Sequence, residues 1–250
     1  MVNVIDFNNF IKWYEDSPSI KALQPLKNQT YKILRSSNVD VRVLDRNDMF
    51  KYLTDVERSK INHFTIDNGK KSHRYFYAIP LQAPNGTIVG FIYRTILDKN
   101  YASIYRPFVD NSKKVPYLFG FFKDFDNYNR HTTCMPILVC EGAKDAIVLK
   151  NIYPYTVSCN TSSLGINTQV LANITDKVLL AYDNDATGVE RTKQDRYSLI
   201  NLGCSVDTVK YQDGFKDASD YVGHPQDYRE LKKQIKNKIR GLIYGVTLSV

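Results

Sequence analysis

The stretch Val178-Leu179-Leu180-Ala181-Tyr182-Asp183-Asn184-Asp185-Ala186-Thr187-Gly188 decides the fold. A short apolar run stops at two carboxylates one residue apart, and a glycine follows. Val178–Tyr182 is too short and too uniformly apolar for an exposed strand or a complete helix, so it reads as a strand buried on both faces. Three similar runs surround it: Ile137–Cys140, Thr156–Cys159 and Ser205–Tyr211. The intervening segments predict helices over about 143–151, 167–174 and 188–202. Buried strands alternating with helices imply an α/β fold, a mostly parallel four-stranded sheet flanked by helices.

In such a sheet, ligands bind beyond the carboxyl ends of the strands. Three acidic signals fall there: Glu141-Gly142-Ala143-Lys144-Asp145, Asp183-Asn184-Asp185, and Lys216-Asp217-Ala218-Ser219-Asp220. Asp183 and Asp185 can approach one hard cation through oxygen ligands. Asp-Asn-Asp is also a common turn, and Asp a favoured helix cap. It is the three signals together, at strand ends of one unit, that predict a divalent metal site.

The surrounding chain splits by charge. The whole protein has 250 residues and a formal net charge of +8. Residues 60–115 hold nine Lys/Arg against three Asp/Glu, whereas 136–223 hold eight against eleven, and 224–250 six against two. A basic region beside an acidic one suits a polyanion next to bound metal. Within the basic part, Tyr75–Ile79 and Thr87–Tyr93 flank Asn85-Gly86, a strong hairpin signal. Tyr75, Tyr77, Tyr93, Tyr101 and Tyr105 interleave with the basic residues and can stack on bases or pack within the sheet.

Residues 1–60 read as helical, with Phe7, Phe10, Ile11 and Tyr14 on one face and further helices over about 19–35 and 46–62. Tyr228–Gly245 reads as a basic helix whose Leu231, Ile235, Ile239 and Ile243 step by four; it either closes the core or meets a partner. The expected organisation is therefore a helical region 1–69, a basic α+β subdomain 70–133, the α/β domain 134–223 and a C-terminal helix 224–250. Cys134, Cys140, Cys159 and Cys204 form no C-x-x-C pair, so no zinc site is expected, and Cys140 and Cys159 read as buried thiols. No signal peptide or 18-residue apolar run is evident, which predicts a soluble cytoplasmic protein without membrane contact.

The ordered motifs E-G-x-x-D, Y-D-x-D-x-x-G and K-D-A-x-D resemble the TOPRIM domain of primases, topoisomerases and certain nucleases. The preceding stretch resembles the basic subdomain of bacterial and phage primase cores: Arg74-Tyr75-Phe76-Tyr77-Ala78-Ile79-Pro80, Gly86–Arg94, Lys99-Asn100-Tyr101 and Tyr117-Leu118-Phe119-Gly120 occur in the family's order. The resemblance implies a primase catalytic core, as in phage or mobile-element replication, lacking zinc-binding and helicase parts. It implies Glu141, Asp183 and Asp185 as catalytic residues. Metal ligands would come from Glu141, Asp145, Asp183, Asp185, Asp217 and Asp220, the last matching the phage-type ending. The expected cofactor is Mg²⁺ or Mn²⁺, and the expected partners are single-stranded DNA template and ribonucleoside triphosphates. Arg74, Arg94, Lys99, Arg106, Lys144 and Lys216 would hold nucleic acid or nucleotide. A replicative helicase or a separate zinc-bearing recognition protein is a further candidate partner, in a bacterial host cytoplasm if the chain is phage-encoded. A TOPRIM nuclease and a non-catalytic DNA-binding replication module are the competing classes.

Overall fold

The computed structural model describes residues 12, 16, 42–45, 75–82, 88–95, 102–104, 118, 120, 135–159, 163–165 and 167–245. The chain divides into two compact units, residues 1–81 with 88–115, and 82–87 with 116–250.

The first unit contains strands β1 (Arg42–Asp45), β2 (Tyr75–Gln82), β3 (Ile88–Thr95) and β4 (Ala102–Ile104), in sheet order β1-β2-β3-β4. β1 runs antiparallel to β2 with Val43 opposite Tyr77, and β4 antiparallel to β3 with Ser103 opposite Tyr93. The two runs flanking Asn85-Gly86 are neighbouring strands, as expected; the turn itself lies outside the described residues. β1 corrects the all-helical reading of residues 1–60. Val41 and Val43 alternate with Arg42 in a pattern that suits a pleated ribbon, and the partner strand supplies its ladder. Lys12 and Asp16 are helical and exposed; Phe7, Phe10, Ile11 and Tyr14, read from sequence as one helix face, lie outside the described residues. The other helices expected before residue 70 lie outside the described residues.

In the second unit, β5 (Ile137–Cys140), β6 (Thr156–Ser158), β7 (Lys177–Ala181) and β8 (Ser205–Thr208) form an all-parallel sheet in the order β6-β5-β7-β8. Helices α1 (Ala143–Lys150), α2 (Asn167–Ile174) and α3 (Ala186–Asn201) connect them, and α4 (Pro225–Tyr244) follows. Every residue of β5 and β6 is buried, as the unbroken apolar run of β5 implies. Ile137, Val139, Val157, Val178 and Leu180 make one core with Leu171 of α2, Leu199 of α3 and Leu118. Helix α4 packs on β7 and β8, burying Leu231, Ile235 and Ile239, so its apolar stripe closes the sheet. No described helix is long and apolar enough to cross a membrane.

Two boundaries differ from the sequence reading. The strand expected over Ser205–Tyr211 stops at Thr208. Beyond it Lys210 leaves the ladder: its N–H donates to Gln234 Oε1 of α4 at 3.1 Å, and its carbonyl accepts from Gln234 Nε2 at 2.9 Å. Helix α3 begins at Ala186, because Asp185 caps it: Oδ1 accepts from Gly188 N at 2.9 Å. The carboxyl ends of the central strands stay level, Cys140 lying opposite Ala181. The residues just beyond, Glu141 and Asp183, therefore emerge together.

Candidate metal centre

Glu141 leaves the end of β5, and its Oε1 accepts a hydrogen bond from Asp183 N at 3.2 Å just past β7. One turn into α1, Asp145 is buried, with Oδ1 accepting from Ser219 N at 3.0 Å. That same N–H also reaches Asp217 Oδ1 at 2.8 Å, so a single backbone donor holds two carboxylates side by side. Asp217 caps the 3-10 turn Ala218–Tyr221, further accepting from Ser219 Oγ at 2.6 Å and Asp220 N at 3.1 Å. Carboxylate oxygens of Asp145, Asp183 and Asp217 lie within 4.8 Å of one another.

Glycines make this packing possible. A Cβ on Gly142 would lie 2.6 Å from Asp145 Oδ2. That contact explains the E-G-x-x-D spacing: the aspartate one turn on folds back over the residue after the glutamate. Gly188 is tighter still, since a Cβ there would stand 2.1 Å from the Asp183 carbonyl oxygen and 2.9 Å from Glu141 Oε1.

The loop after β8 completes the site. Asn184 N donates to Lys216 O at 2.7 Å, and Lys216 N donates to Asp220 Oδ2 at 2.9 Å. Lys216 Nζ lies 3.1 Å from Asp183 Oδ2 and 3.0 Å from Asp185 Oδ2. Behind it Phe215 stacks on the buried Tyr221 ring at 4.1 Å, and Tyr221 Oη accepts from Gln212 N. Separately, buried Asp195 of α3 accepts from Tyr182 O–H at 2.6 Å and Leu164 N at 2.8 Å, tying the helix to the end of β7.

Crowding shapes the ionisation. Burial, followed by the charges of Asp217 and Asp183, holds the Asp145 carboxyl well above its ordinary value. Burial also raises Asp183, although Lys216 pulls against it. Asp185 goes the other way, lowered first by its bond from Gly188 N and then by Lys216. Lys216 is raised by its bonds to Asp185 and Asp183. Glu141 moves from 4.5 to about 7, through burial and then the Asp183 charge.

Because the folded-state value of Glu141 lies above the unfolded one, the stability it contributes is present below about pH 4.5 and is lost as pH rises through 7. Glu141→Gln should remove this component. The melting-temperature difference between variant and wild type, measured with chelator present, should grow in the variant's favour from pH 4.5 to 8. A difference independent of pH would show that Glu141 ionises without hindrance.

The structure thus brings together Glu141, Asp145, Asp183, Asp185, Asp217 and Lys216. Asp220 is spent on Lys216 N and stands outside the triad. Lys216, expected on the nucleic-acid side, is paired with the D-x-D carboxylates. Lys144 is the second residue of α1, and its charge lowers Asp145. Arg94 belongs to β3, while Arg74, Lys99 and Arg106 lie outside the described residues. The sequence reading missed Ser219, and nothing in its residue type marks a backbone N–H that bridges two acids. Cys140, Cys159 and Cys204 are buried thiols in no disulfide, buried as read for the first two, and Cys134 lies outside the described residues.

This parallel sheet, with acids at the ends of its two central strands and in the following loop, is a Toprim-type α/β domain, and residues 138–222 match the family described as Toprim-like. No curated protein matches the chain. Among solved structures, it resembles the Aquifex aeolicus primase zinc-binding and RNA polymerase domains (TM-score 0.63, 18% identity), covering 93% of this chain and 60% of that one. It resembles a DnaG primase catalytic domain bound to single-stranded DNA (0.61, 17%; 93% and 83% covered) and the RNA polymerase domain of Mycobacterium tuberculosis DnaG (0.58, 15%; 94% and 84% covered). The chain has the fold of DnaG-type primase catalytic cores.

Proposed function

We propose that this protein is a primase catalytic core that joins ribonucleoside triphosphates on a single-stranded DNA template, in phage or mobile-element replication. The carrying observation is the Asp145–Asp183–Asp217 triad at the carboxyl edge of the parallel sheet. Its donors are all carboxylate oxygens, the set a hard divalent ion takes, and the buried Asp145 carboxylate has one N–H against its charge. The residues fit Mg²⁺ or Mn²⁺, held by Asp145, Asp183 and Asp217. When bound, the ion would neutralise triphosphate charge and favour in-line displacement at the α-phosphate.

The chain's own groups would do the rest. Glu141, raised to about 7, is suited to exchange a proton at the attacking 3′-hydroxyl near neutral pH. Asp185 fixes the start of α3 through Oδ1 and keeps Oδ2 toward the site. Arg74, Arg94, Lys99, Arg106 and Lys144 would carry template and nucleotide phosphates, in keeping with the positive balance of residues 60–115. A helicase or a separate zinc-bearing recognition protein would supply functions absent from a core of this kind. The fold likeness supports the reading, as does a DnaG catalytic domain of the same fold having been solved with single-stranded DNA.

The test is incubation of the full chain with Mn²⁺ or Mg²⁺, ribonucleotides and single-stranded templates, beside Glu141→Gln. Wild type should make short, template-complementary, alkali-labile oligomers, and Glu141→Gln almost none. Degradation of the template without synthesis would place the protein with the nucleases. Binding with neither activity would make it a non-catalytic replication module.

A further inference from the structure

Among the described residues, Lys216 is the cation paired with the D-x-D acids of the centre, and its position does more than balance charge. Both its backbone groups are anchored, the carbonyl by Asn184 N and the N–H by Asp220 Oδ2, and the Phe215–Tyr221 stack holds the loop behind it. The side chain then crosses the D-x-D turn and places one ammonium 3.1 Å from Asp183 Oδ2 and 3.0 Å from Asp185 Oδ2. Asp185 Oδ1 is already committed to capping α3. Both oxygens of the second aspartate are therefore occupied, and the triad able to hold an ion is Asp145, Asp183 and Asp217, without Asp185. Asp183 belongs to both arrangements. The lysine side chain is still 55% exposed, so it can leave without unpacking anything.

Resting on the metal reading above, we propose that Lys216 is a resident counter-cation that closes the notch between Asp183 and Asp185 and competes with the divalent ion for Asp183. With no divalent ion, its single charge offsets the repulsion of the clustered carboxylates. A divalent ion that displaces it gains the second oxygens of Asp183 and Asp185. The site is thereby biased against weakly held monovalent ions and opens as divalent concentration rises. Removing the lysine should have two opposite effects: a less stable metal-free protein and a tighter metal site. A lysine that only shaped the loop would lower both.

The experiment is a Mn²⁺ titration of the full chain without nucleotide or DNA, reading free Mn²⁺ by electron paramagnetic resonance. Wild type is compared with Lys216→Met, which keeps the aliphatic stem, and Lys216→Arg, which keeps the charge. Lys216→Met should bind Mn²⁺ roughly tenfold more tightly. Its metal-free melting temperature should drop by about 2–4 °C. Lys216→Arg should stay within about threefold of wild type in affinity. Should Lys216→Met not fold, Lys216→Gln replaces it. Equal or weaker Mn²⁺ binding by a folded, uncharged variant overturns the competition and leaves the metal site standing. Absence of Mn²⁺ binding in every protein, wild type included, overturns the metal reading and this inference with it.

Discussion

Asp183→Asn should reduce primer synthesis by roughly 10³-fold or more, and should at the same time raise the melting temperature of the metal-free protein. The loss follows from geometry, because Asp183 is the acid shared by the triad, the Lys216 pair and the Glu141 contact. A neutral amide keeps the shape and removes the charge an ion needs. The gain in stability follows from ionisation. Burial holds the Asp183 carboxyl above its ordinary 3.8 even with Lys216 beside it, so the folded state disfavours the charge that the unfolded chain carries freely. The stability contribution of that raised group is present below pH 3.8 and is lost as pH rises through the folded value, whereas the amide does not titrate and loses nothing. Thermal melts in chelator at pH 7.5, beside a synthesis assay, check both halves. An inactive variant that melts lower than wild type would show that Asp183 earns its place structurally, through Lys216.

Gly188→Ala is the second large effect. The new methyl carbon would stand 2.1 Å from the Asp183 carbonyl oxygen and 2.8 Å from its carbon, both backbone atoms without freedom to rotate away. Nor can the helix start slide easily. Gly188 N is bound to Asp185 Oδ1, and its carbonyl accepts from Thr192 Oγ1 at 2.8 Å. Relief must come from moving β7's end away from α3, which carries Asp183 with it. The expected cost is about 3 kcal/mol of stability. Synthesis should fall about 100-fold, as for a displacement of about 1 Å in a positioned group. Val189→Ala, at the next residue and 46% exposed, should do neither. Chemical denaturation and rate assays on both variants decide it; a near-neutral Gly188→Ala would mean that the loop is far softer than its contacts imply.

Much of this was legible before any coordinates. Buried strands betray themselves by unbroken apolar runs, so β5 and β7 fell where Ile137–Cys140 and Val178–Tyr182 placed them; β6 is equally buried, whereas β8, exposed at Ser205 and half-buried beyond it, stops three residues early. Asn167–Ile174 has a clear helical face between two turn-rich segments, and its bounds agree. Glu141 and Asp183 were legible because each lies within two residues of a strand end, and Asp145 and Asp217 because they complete the E-G-x-x-D and K-D-A-x-D spacings. What escaped was wiring. Ser219 reaches Asp145 across 74 positions, and only the fold makes that contact. The pairing of Lys216 with Asp183 and Asp185 depends on where the β8 loop returns, which no local pattern encodes. Strand β1 was hidden because Arg42–Asp45 is short and finds its ladder in a strand more than thirty residues away.

Whether the three carboxylates hold a divalent ion is read directly by anomalous diffraction from Mn²⁺-loaded crystals. The expected result is an anomalous peak bounded by Asp145, Asp183 and Asp217, absent from Asp183→Asn crystals treated identically. At saturating Mn²⁺, no peak among these three residues, or a peak confined to acids outside the triad such as Asp220, would contradict a metal site there.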